Sequence, residues 1–182
     1  MSRVGKSPVK IPEAVRVTIK DRQVVVSGPR GELSLTLPEK ISVSEKEGYL
    51  SVHRAAEAKK VKANHGTIRS LINNMVLGVT QGWSKELEVV GTGFRADLSG
   101  QKLDLKLGFS HPVVIEPPAG VVFEVTDSKI KISGPDKILV GNLAAKIRKI
   151  KPPDVYQGKG VRYSGETVKL KPGKAAKVGA AQ

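Results

Sequence analysis

Two well-separated stretches of this sequence decide its fold. Ile19–Pro29 reads IKDRQVVVSGP, and Val125–Pro135 reads VTDSKIKISGP. They align without a gap and share an Asp at the third position, aliphatic residues at alternating positions and a closing Ser-Gly-Pro. We interpret them as an internal duplication, because the apolar alternation stays in register together with the turn residues. The alternative is two unrelated strand–turn–strand units that share only their turn chemistry.

The match extends backwards from both stretches. The additional aligned pairs are Pro12 with Pro118, Val15 with Val121, and Val17 with Phe123. Elsewhere, apolar and polar residues alternate with a period of two, as around Leu33 and Leu103. This pattern predicts half-buried strands with one face on a core. Short connections rich in Gly, Asp and Ser predict hairpins between them.

Two segments have helical spacing instead. The first, from about Ala56 to Gln81, ends before Gly82, and the second runs from about Asp136 to Ile150. Their apolar stripes are Val61, Ile68, Leu71, Ile72, Met75 and Val79 in the first, and Leu139, Leu143, Ile147 and Ile150 in the second. We therefore predict an α+β protein of two tandem duplicated domains, residues 1–82 and 83–182. Each is expected to be an antiparallel sheet packed against one main helix, with basic flexible termini.

The composition points to a polyanionic partner. The 182 residues carry a formal net charge of +14, from 31 Lys and Arg against 17 Asp and Glu. Such an excess destabilises a small protein by self-repulsion, and nucleic acid is the commonest partner that relieves it. An anionic membrane is the second possibility, but no apolar run approaches the roughly 20 residues of a spanning helix. We expect no membrane association and a cytoplasmic location, since Met1–Lys10 also lacks the apolar stretch of a signal peptide.

The excess charge is concentrated near the carboxy terminus. Ten Lys and Arg residues lie between Lys146 and Lys177, opposed by Asp154 and Glu166 alone. The last stretch, Lys169–Gln182, has almost no large apolar side chains, so we expect it to be disordered alone and to order on RNA. The alternative is a solubilising tail without a partner.

Between the second helix and this tail lies Pro152–Tyr163, which reads PPDVYQGKGVRY. The prolines prevent the helix from continuing. Two glycines flank Lys159 and permit close approach of the backbone to a phosphate, while Arg162 offers a bidentate grip. The tyrosines either stack on unpaired bases or pack. The segment is therefore predicted to be an anion-binding loop.

Enzymatic phosphate sites do not fit the sequence. A P-loop would need Gly where Pro153 stands and Ser or Thr where Gly160 stands. Gly91-Thr92-Gly93 resembles the start of a dinucleotide fingerprint, but Ala96 occupies the next glycine position, so a hairpin turn is the better interpretation.

Catalytic and metal-binding constellations are also missing from the sequence. There is no cysteine, and the three histidines are dispersed without metal-ligand spacing. His65 is expected to pack or form a hydrogen bond, and His111 to reach RNA or cap a strand. We predict no enzyme, no metal and no cofactor.

The segment from Pro153 to Tyr163 resembles the signature of the bacterial large-subunit ribosomal protein L6 family, the universal uL6 family. The resemblance covers nearly the whole chain. The other matching motifs are Met1–Lys6 with Ile11-Pro12, His65–Val79, Gly108–Pro112 and Ala144–Arg148.

This resemblance implies two duplicated α+β domains in a structural constituent of the large ribosomal subunit. It implies that the carboxy-terminal domain contacts large-subunit ribosomal RNA near the stalk base and the sarcin–ricin loop, with neighbouring ribosomal proteins and translation factors close by. The candidate RNA-binding residues are Arg95, His111, Lys149, Lys151, Tyr156, Gly158, Lys159, Gly160, Arg162, Tyr163, Lys169, Lys171, Lys174 and Lys177. The alternative is a generic basic nucleic-acid-binding protein, with a steep salt dependence and little preference among polyanions.

Overall fold

The first half of the chain forms two small antiparallel sheets and one long helix. The computed structural model describes residues 3–173. The elements of this half are α1 (Arg3–Lys6), β1 (Val9–Lys10), β2 (Arg16–Lys20), β3 (Gln23–Gly28), β4 (Gly31–Thr36), β5 (Ile41–Lys46), β6 (Tyr49–Arg54) and α2 (Lys59–Thr80). Strands pair in the orders β2-β3-β4 and β1-β6-β5. The strand pattern predicted one sheet per half, and the structure divides it into two.

Helix α2 covers the hydrophobic core of the first half. Its buried residues include Ile68, Ile72, Met75 and Val79, as the helical spacing predicted, while Val61 and Leu71 are partly buried against the same cluster. His65 is also buried, and its Nε2 lies 2.9 Å from the carbonyl oxygen of Val52. The expected packing or hydrogen bond of this histidine is confirmed.

The second half repeats this plan with a different connection to its helix. Its elements are β7 (Trp83–Val90), β8 (Arg95–Ser99), β9 (Lys102–Lys106), β10 (Val113–Ile115), β11 (Val122–Thr126), β12 (Lys129–Gly134), α3 (Lys137–Ile150) and β13 (Gly160–Tyr163). The sheet orders are β10-β9-β8 and β11-β12-β7-β13. The α+β class is therefore confirmed.

The chain divides into two units by its internal contacts. One unit runs to Trp83 and includes Gly134–Lys137, and the other contains Ser84–Ser133 and the chain from Ile138 onward. The first segment of the first unit ends one residue beyond residue 82, where the sequence analysis placed the boundary, and the Gly134–Lys137 segment was not expected there. None of the helices between residues 3 and 173 is long and apolar enough to cross a lipid bilayer.

The duplicated hairpins share an unusual backbone conformation. Asp21 and Asp127, which are aligned in the repeat, have φ angles of 46° and 54°. Each begins the short turn of a hairpin, β2–β3 in one unit and β11–β12 in the other. Asp tolerates this left-handed region better than most residues, which makes it suitable for two-residue hairpin turns.

The match also holds before the hairpins. The Val15 N–H donates to the Pro12 carbonyl at 3.0 Å, and the Val121 N–H donates to the Pro118 carbonyl at 3.1 Å. A shared strand pattern alone does not require equivalent turns at both aligned positions. These paired turns favour duplication over two unrelated units with similar turn chemistry.

Two expectations from the sequence were wrong. Gly91–Gly93 forms a turn, but β7 and β8 on either side belong to different sheets, so the turn does not close a hairpin. In α3, Leu139 is 39% exposed, whereas Val140 is buried together with Leu143 and Ile147. Three consecutive apolar residues begin this helix, and packing against the sheet, rather than hydrophobicity, selects which of them faces the core.

Replacement of two different leucines in α3 by alanine should change the free energy of unfolding by very different amounts. Leu143 is 8% exposed and belongs to the core, while Leu139 is 39% exposed. We expect Leu143→Ala to lower the free energy of unfolding by about 2–5 kcal/mol, through lost burial and a residual cavity. Leu139→Ala should stay within about 1 kcal/mol of the parent. Urea unfolding followed by circular dichroism measures both, and equal losses would contradict the observed orientation of the helix.

Two glycines provide a second test of packing. A methyl group on Gly28 would lie 2.7 Å from Cγ2 of Val79 and 2.9 Å from its carbonyl oxygen, whereas one on Gly141 would meet open space. Gly28→Ala should therefore destabilise the protein by about 1–3 kcal/mol through overpacking. Gly141→Ala, inside α3, should stabilise it by up to about 1 kcal/mol. Thermal unfolding measures the stability of both variants relative to the parent chain. Two stability changes of the same sign would contradict this packing.

Candidate nucleic-acid interface

Asp154 organises the segment that follows α3. Its Oδ2 accepts hydrogen bonds from the backbone N–H groups of Gln157 at 2.8 Å and Tyr156 at 3.0 Å. Backbone bonds also join Asp154 to Gly158 and Lys159, each at 2.9 Å. We name residues 154–159 the Asp154 loop. The N–H groups of Gln157 and then Tyr156 favour the ionised carboxylate, so they hold the pKa of Asp154 below its usual value.

The two glycines of this region have different structural roles. Gly158 has a φ angle of +71°, the left-handed conformation that glycine adopts without strain. Gly160 is buried, and a Cβ there would lie 2.6 Å from the Pro152 carbonyl oxygen and 2.8 Å from that of Lys151. The close approach predicted for Gly160 is therefore made to the chain's own backbone.

Arg162 is held by an acidic side chain on the neighbouring strand. It lies opposite Glu88 in the β13–β7 pair, and its Nε and Nη2 both donate to Oε2 of Glu88 at 3.1 Å. The side chains are 34% and 19% exposed. Oε1 of Glu88 also accepts from the Ser164 hydroxyl at 3.3 Å. The two N–H groups of Arg162 that were expected to bind a phosphate therefore bind a carboxylate of the protein itself.

Arg148 is engaged in the same way by Glu166. Its Nε donates at 3.0 Å and its Nη2 forms a second, shorter bond to the same carboxylate. The Tyr163 backbone N–H adds a bond at 3.0 Å. The Arg148 bonds and then the Tyr163 bond lower the pKa of Glu166, and the pairing raises the pKa of Arg148.

The two tyrosines separate into packed and open rings. Tyr163 is half-buried against the core, with the Arg148 guanidinium 5.5 Å and the Lys85 ammonium 5.7 Å from its ring centroid. Tyr156 is exposed on the Asp154 loop. The sequence left open whether the tyrosines stack on bases or pack within the protein. Tyr163 packs against the core, whereas the side chain of Tyr156 is exposed to solvent.

The lysines of this region remain without acidic partners. Those exposed in the described part of the chain are Lys146, Lys149, Lys159, Lys169 and Lys171, and none of them forms an ion pair there. The Lys171 backbone N–H donates to the Val155 carbonyl at 2.8 Å, which ties the chain after β13 to the Asp154 loop. We name Lys159, Lys169 and Lys171 the basic face. Lys174 and Lys177 lie outside the described residues.

A second group of candidate residues surrounds two phenylalanines. The Lys151 ammonium lies 5.0 Å from the ring centroid of Phe109 and 6.0 Å from that of Phe94. Arg95 and His111 are exposed nearby in sequence. The exposed ring of Phe109 was missed as a candidate, although an aromatic residue in a Gly-Phe-Ser-His-Pro turn was a usable signal.

The histidines do not assemble a site. His53 lies 2.8 Å from the Ser44 hydroxyl, His65 bonds to a backbone carbonyl, and His111 is 3.4 Å from the Ser110 hydroxyl. Within residues 3–173, no group of three or more His, Asp or Glu side chains has the arrangement of a metal site. The chemistry of the region is therefore that of charge and surface contact.

The chain is similar to known proteins over nearly its whole length. The family model described as Ribosomal protein L6 matches residues 11–82 and 90–164, one segment in each half. The large ribosomal subunit protein uL6 of Prochlorococcus marinus (strain MIT 9313) is 50% identical over 97% of this chain and 99% of its own length. The uL6 protein of Acidothermus cellulolyticus is 50% identical over 97% and 100%, and uL6c of Cyanophora paradoxa is 50% identical over 97% and 99%. This chain therefore belongs to the ribosomal protein L6 family.

Proposed function

We propose that this chain binds large-subunit ribosomal RNA near the stalk base and the sarcin–ricin loop, close to where translation factors bind. At the coarser level, the family makes it a structural protein of the large ribosomal subunit and not an enzyme. The location within the subunit is supported by the resemblance of residues 153–163 to the family signature. Neighbouring ribosomal proteins at the stalk base are the expected protein partners.

One observation carries the RNA-binding proposal. Around the Asp154 loop, Arg162 pairs with Glu88 and Arg148 pairs with Glu166. The Asp154 carboxylate accepts hydrogen bonds from backbone N–H groups of the loop. The exposed lysines of the same region are consequently uncompensated. A polyanion that approaches this surface meets free ammonium groups and no free carboxylate from these three acids, which favours phosphate contacts.

We assign the candidate residues two proposed roles. We propose direct contacts with RNA for Arg95, His111, Lys149, Lys151, Tyr156, Gly158, Lys159, Lys169 and Lys171. We propose positioning roles for Gly160, Arg162 and Tyr163, because their burial, ion pair and packing occupy them within the chain. Selective binding then follows from Lys159 on a hydrogen-bonded loop and from Lys171, whose backbone is bonded to that loop, which a generic basic tail does not provide.

We also propose that residues 1–82 and 83–182 act as two domains, with the first mainly a brace. Several cations of the first domain are already occupied. Arg54 and Lys62 both pair with Glu57, and Arg69 donates to the backbone carbonyls of Ser7 and Pro8. These contacts hold the three side chains against other groups of the same domain.

Removing lysines from the basic face should weaken RNA binding. We expect the double variant Lys159→Ala with Lys171→Ala to lower affinity for transcribed large-subunit ribosomal RNA. The slope of log K against log salt should become shallower by about 1 to 2, because up to two phosphate contacts are lost. Filter binding at several salt concentrations measures both quantities.

A matched variant controls for bulk charge. Lys20→Ala with Lys46→Ala removes the same charge from exposed strand ends of the first unit. Its affinity should stay close to that of the parent if the basic face is the binding surface. Equal weakening by both double variants would instead support a generic polyanion binder.

Arg162 and Lys159 should affect different measurements. We expect Arg162→Ala to lower the free energy of unfolding by about 1–3 kcal/mol, since it leaves the partly buried Glu88 without its charged partner. Lys159→Ala should change stability by less than about 0.5 kcal/mol and act on RNA affinity. Urea unfolding and filter binding on both variants separate these effects. An Arg162→Ala chain with parental stability but weakened binding would make Arg162 a direct contact.

A further inference from the structure

Phe109 presents an aromatic ring to solvent beside the candidate RNA-binding residues. Its residue surface is 43% exposed, in the connection between β9 and β10. Exposed phenylalanine carries a free-energy cost relative to burial, and an aromatic partner is well suited to relieve it. Within the same connection Leu107 is buried, whereas Ser110 and His111 on the other side of Phe109 are exposed and polar.

Two glycines pack closely against the ring of Phe94, which like Phe109 lies near the Lys151 ammonium. A Cβ at Gly91 would lie 2.6 Å from Cδ2 of Phe94, and one at Gly108 would lie 3.1 Å from Cε1 of the same ring. Both glycines also have positive φ angles. The backbone therefore closes around Phe94, which packs at the edge of the core and provides a rigid base for the connection that carries Phe109.

One cation lies against these rings, and two more are close to them in sequence. The Lys151 ammonium lies 5.0 Å from the Phe109 centroid, within the range of a cation–π contact. Arg95 lies directly opposite Lys106 in the β8–β9 pair. Two like charges at such a position are destabilising, and Lys106 has an acidic neighbour, Asp97, only at 3.8 Å. A phosphate between these side chains would relieve the repulsion.

We propose that Phe109 is a stacking site for one unpaired nucleobase of the bound RNA, with Lys151, Arg95 and Lys106 receiving the adjacent phosphates. This inference rests on the proposed RNA-binding function and adds the class of nucleotide that is recognised. A base within a duplex is stacked on both faces, so the site selects a loop or bulge nucleotide. An exposed aromatic ring beside cationic side chains is a combination that single-stranded nucleic acid recognises.

The test uses the full chain and transcribed large-subunit ribosomal RNA. Phe109→Leu keeps an apolar side chain but removes the aromatic face, and we expect it to reduce affinity about 5- to 100-fold in filter binding. F109W keeps a stacking ring, so its affinity should stay near the parental value or rise. Its tryptophan fluorescence should be quenched by RNA beyond any change seen in the parent chain, which contains Trp83 alone.

Controls separate this site from the basic face. Leu98→Ala removes an apolar side chain of comparable exposure, 40%, from the β10-β9-β8 sheet, and its affinity should be unchanged. Parental affinity in F109L would overturn the stacking site, even if the Lys159 and Lys171 double variant binds weakly and RNA binding itself stands. Absence of salt-dependent RNA binding by the parent would overturn both proposals. Circular dichroism of F109L checks that the fold is retained.

Discussion

The structure depends on burying one face of the same hairpin twice. Val24 and Val26 in one unit, and Ile130 and Ile132 in the other, are completely buried. Side chains alternate between faces, so a slip of one residue would expose these positions and bury the residues between them, Val25 and Lys131. The left-handed aspartate at each hairpin turn fixes the register against such a slip. With few aromatic residues in the chain, both cores are mainly aliphatic, and each is completed by the apolar stripe of a helix.

The second unit uses its sheet to position charge. Strand β13 lies beside β7, and Gly160 lets it pass against the carbonyls of Lys151 and Pro152. The same pairing brings Arg162 opposite Glu88. A planar guanidinium forms paired bonds with a carboxylate, whereas an ammonium group is a strongly hydrated point charge on a flexible stem. This chemical difference explains why the arginines here hold the fold together and the lysines remain available to a ligand.

Most of the fold was predictable from the sequence because its signals are local. Period-two alternation, two helical stripes and a repeated turn each depend on residues close together in the chain. The predictions that failed depend on contacts between residues that are far apart in the sequence. Leu139 is an apolar residue next to Ile138 and Val140, and only the opposing sheet selects which of them is buried. Arg162 had the expected chemistry for phosphate, but Glu88 lies far away in sequence and the strand pairing that joins them is not a local property. The exposure of Phe109 likewise depends on how the turn sits on Phe94.

The excess charge alone supports nothing more specific than a polyanionic partner, and geometry is needed to go further. A net charge of +14 is present in the unfolded chain as well, so unfolded protein also binds polyanions. RNA stabilises the fold only to the extent that it binds the folded chain more tightly than the unfolded one. That difference must come from features that exist only after folding. The Asp154 loop, closed by bonds to its own backbone, and the turn of Phe109, in which Gly108 packs closely on the Phe94 ring, are two such features. Preorganisation of both would reduce the conformational entropy lost in the proposed contacts, which would favour a folded RNA over an arbitrary polyanion.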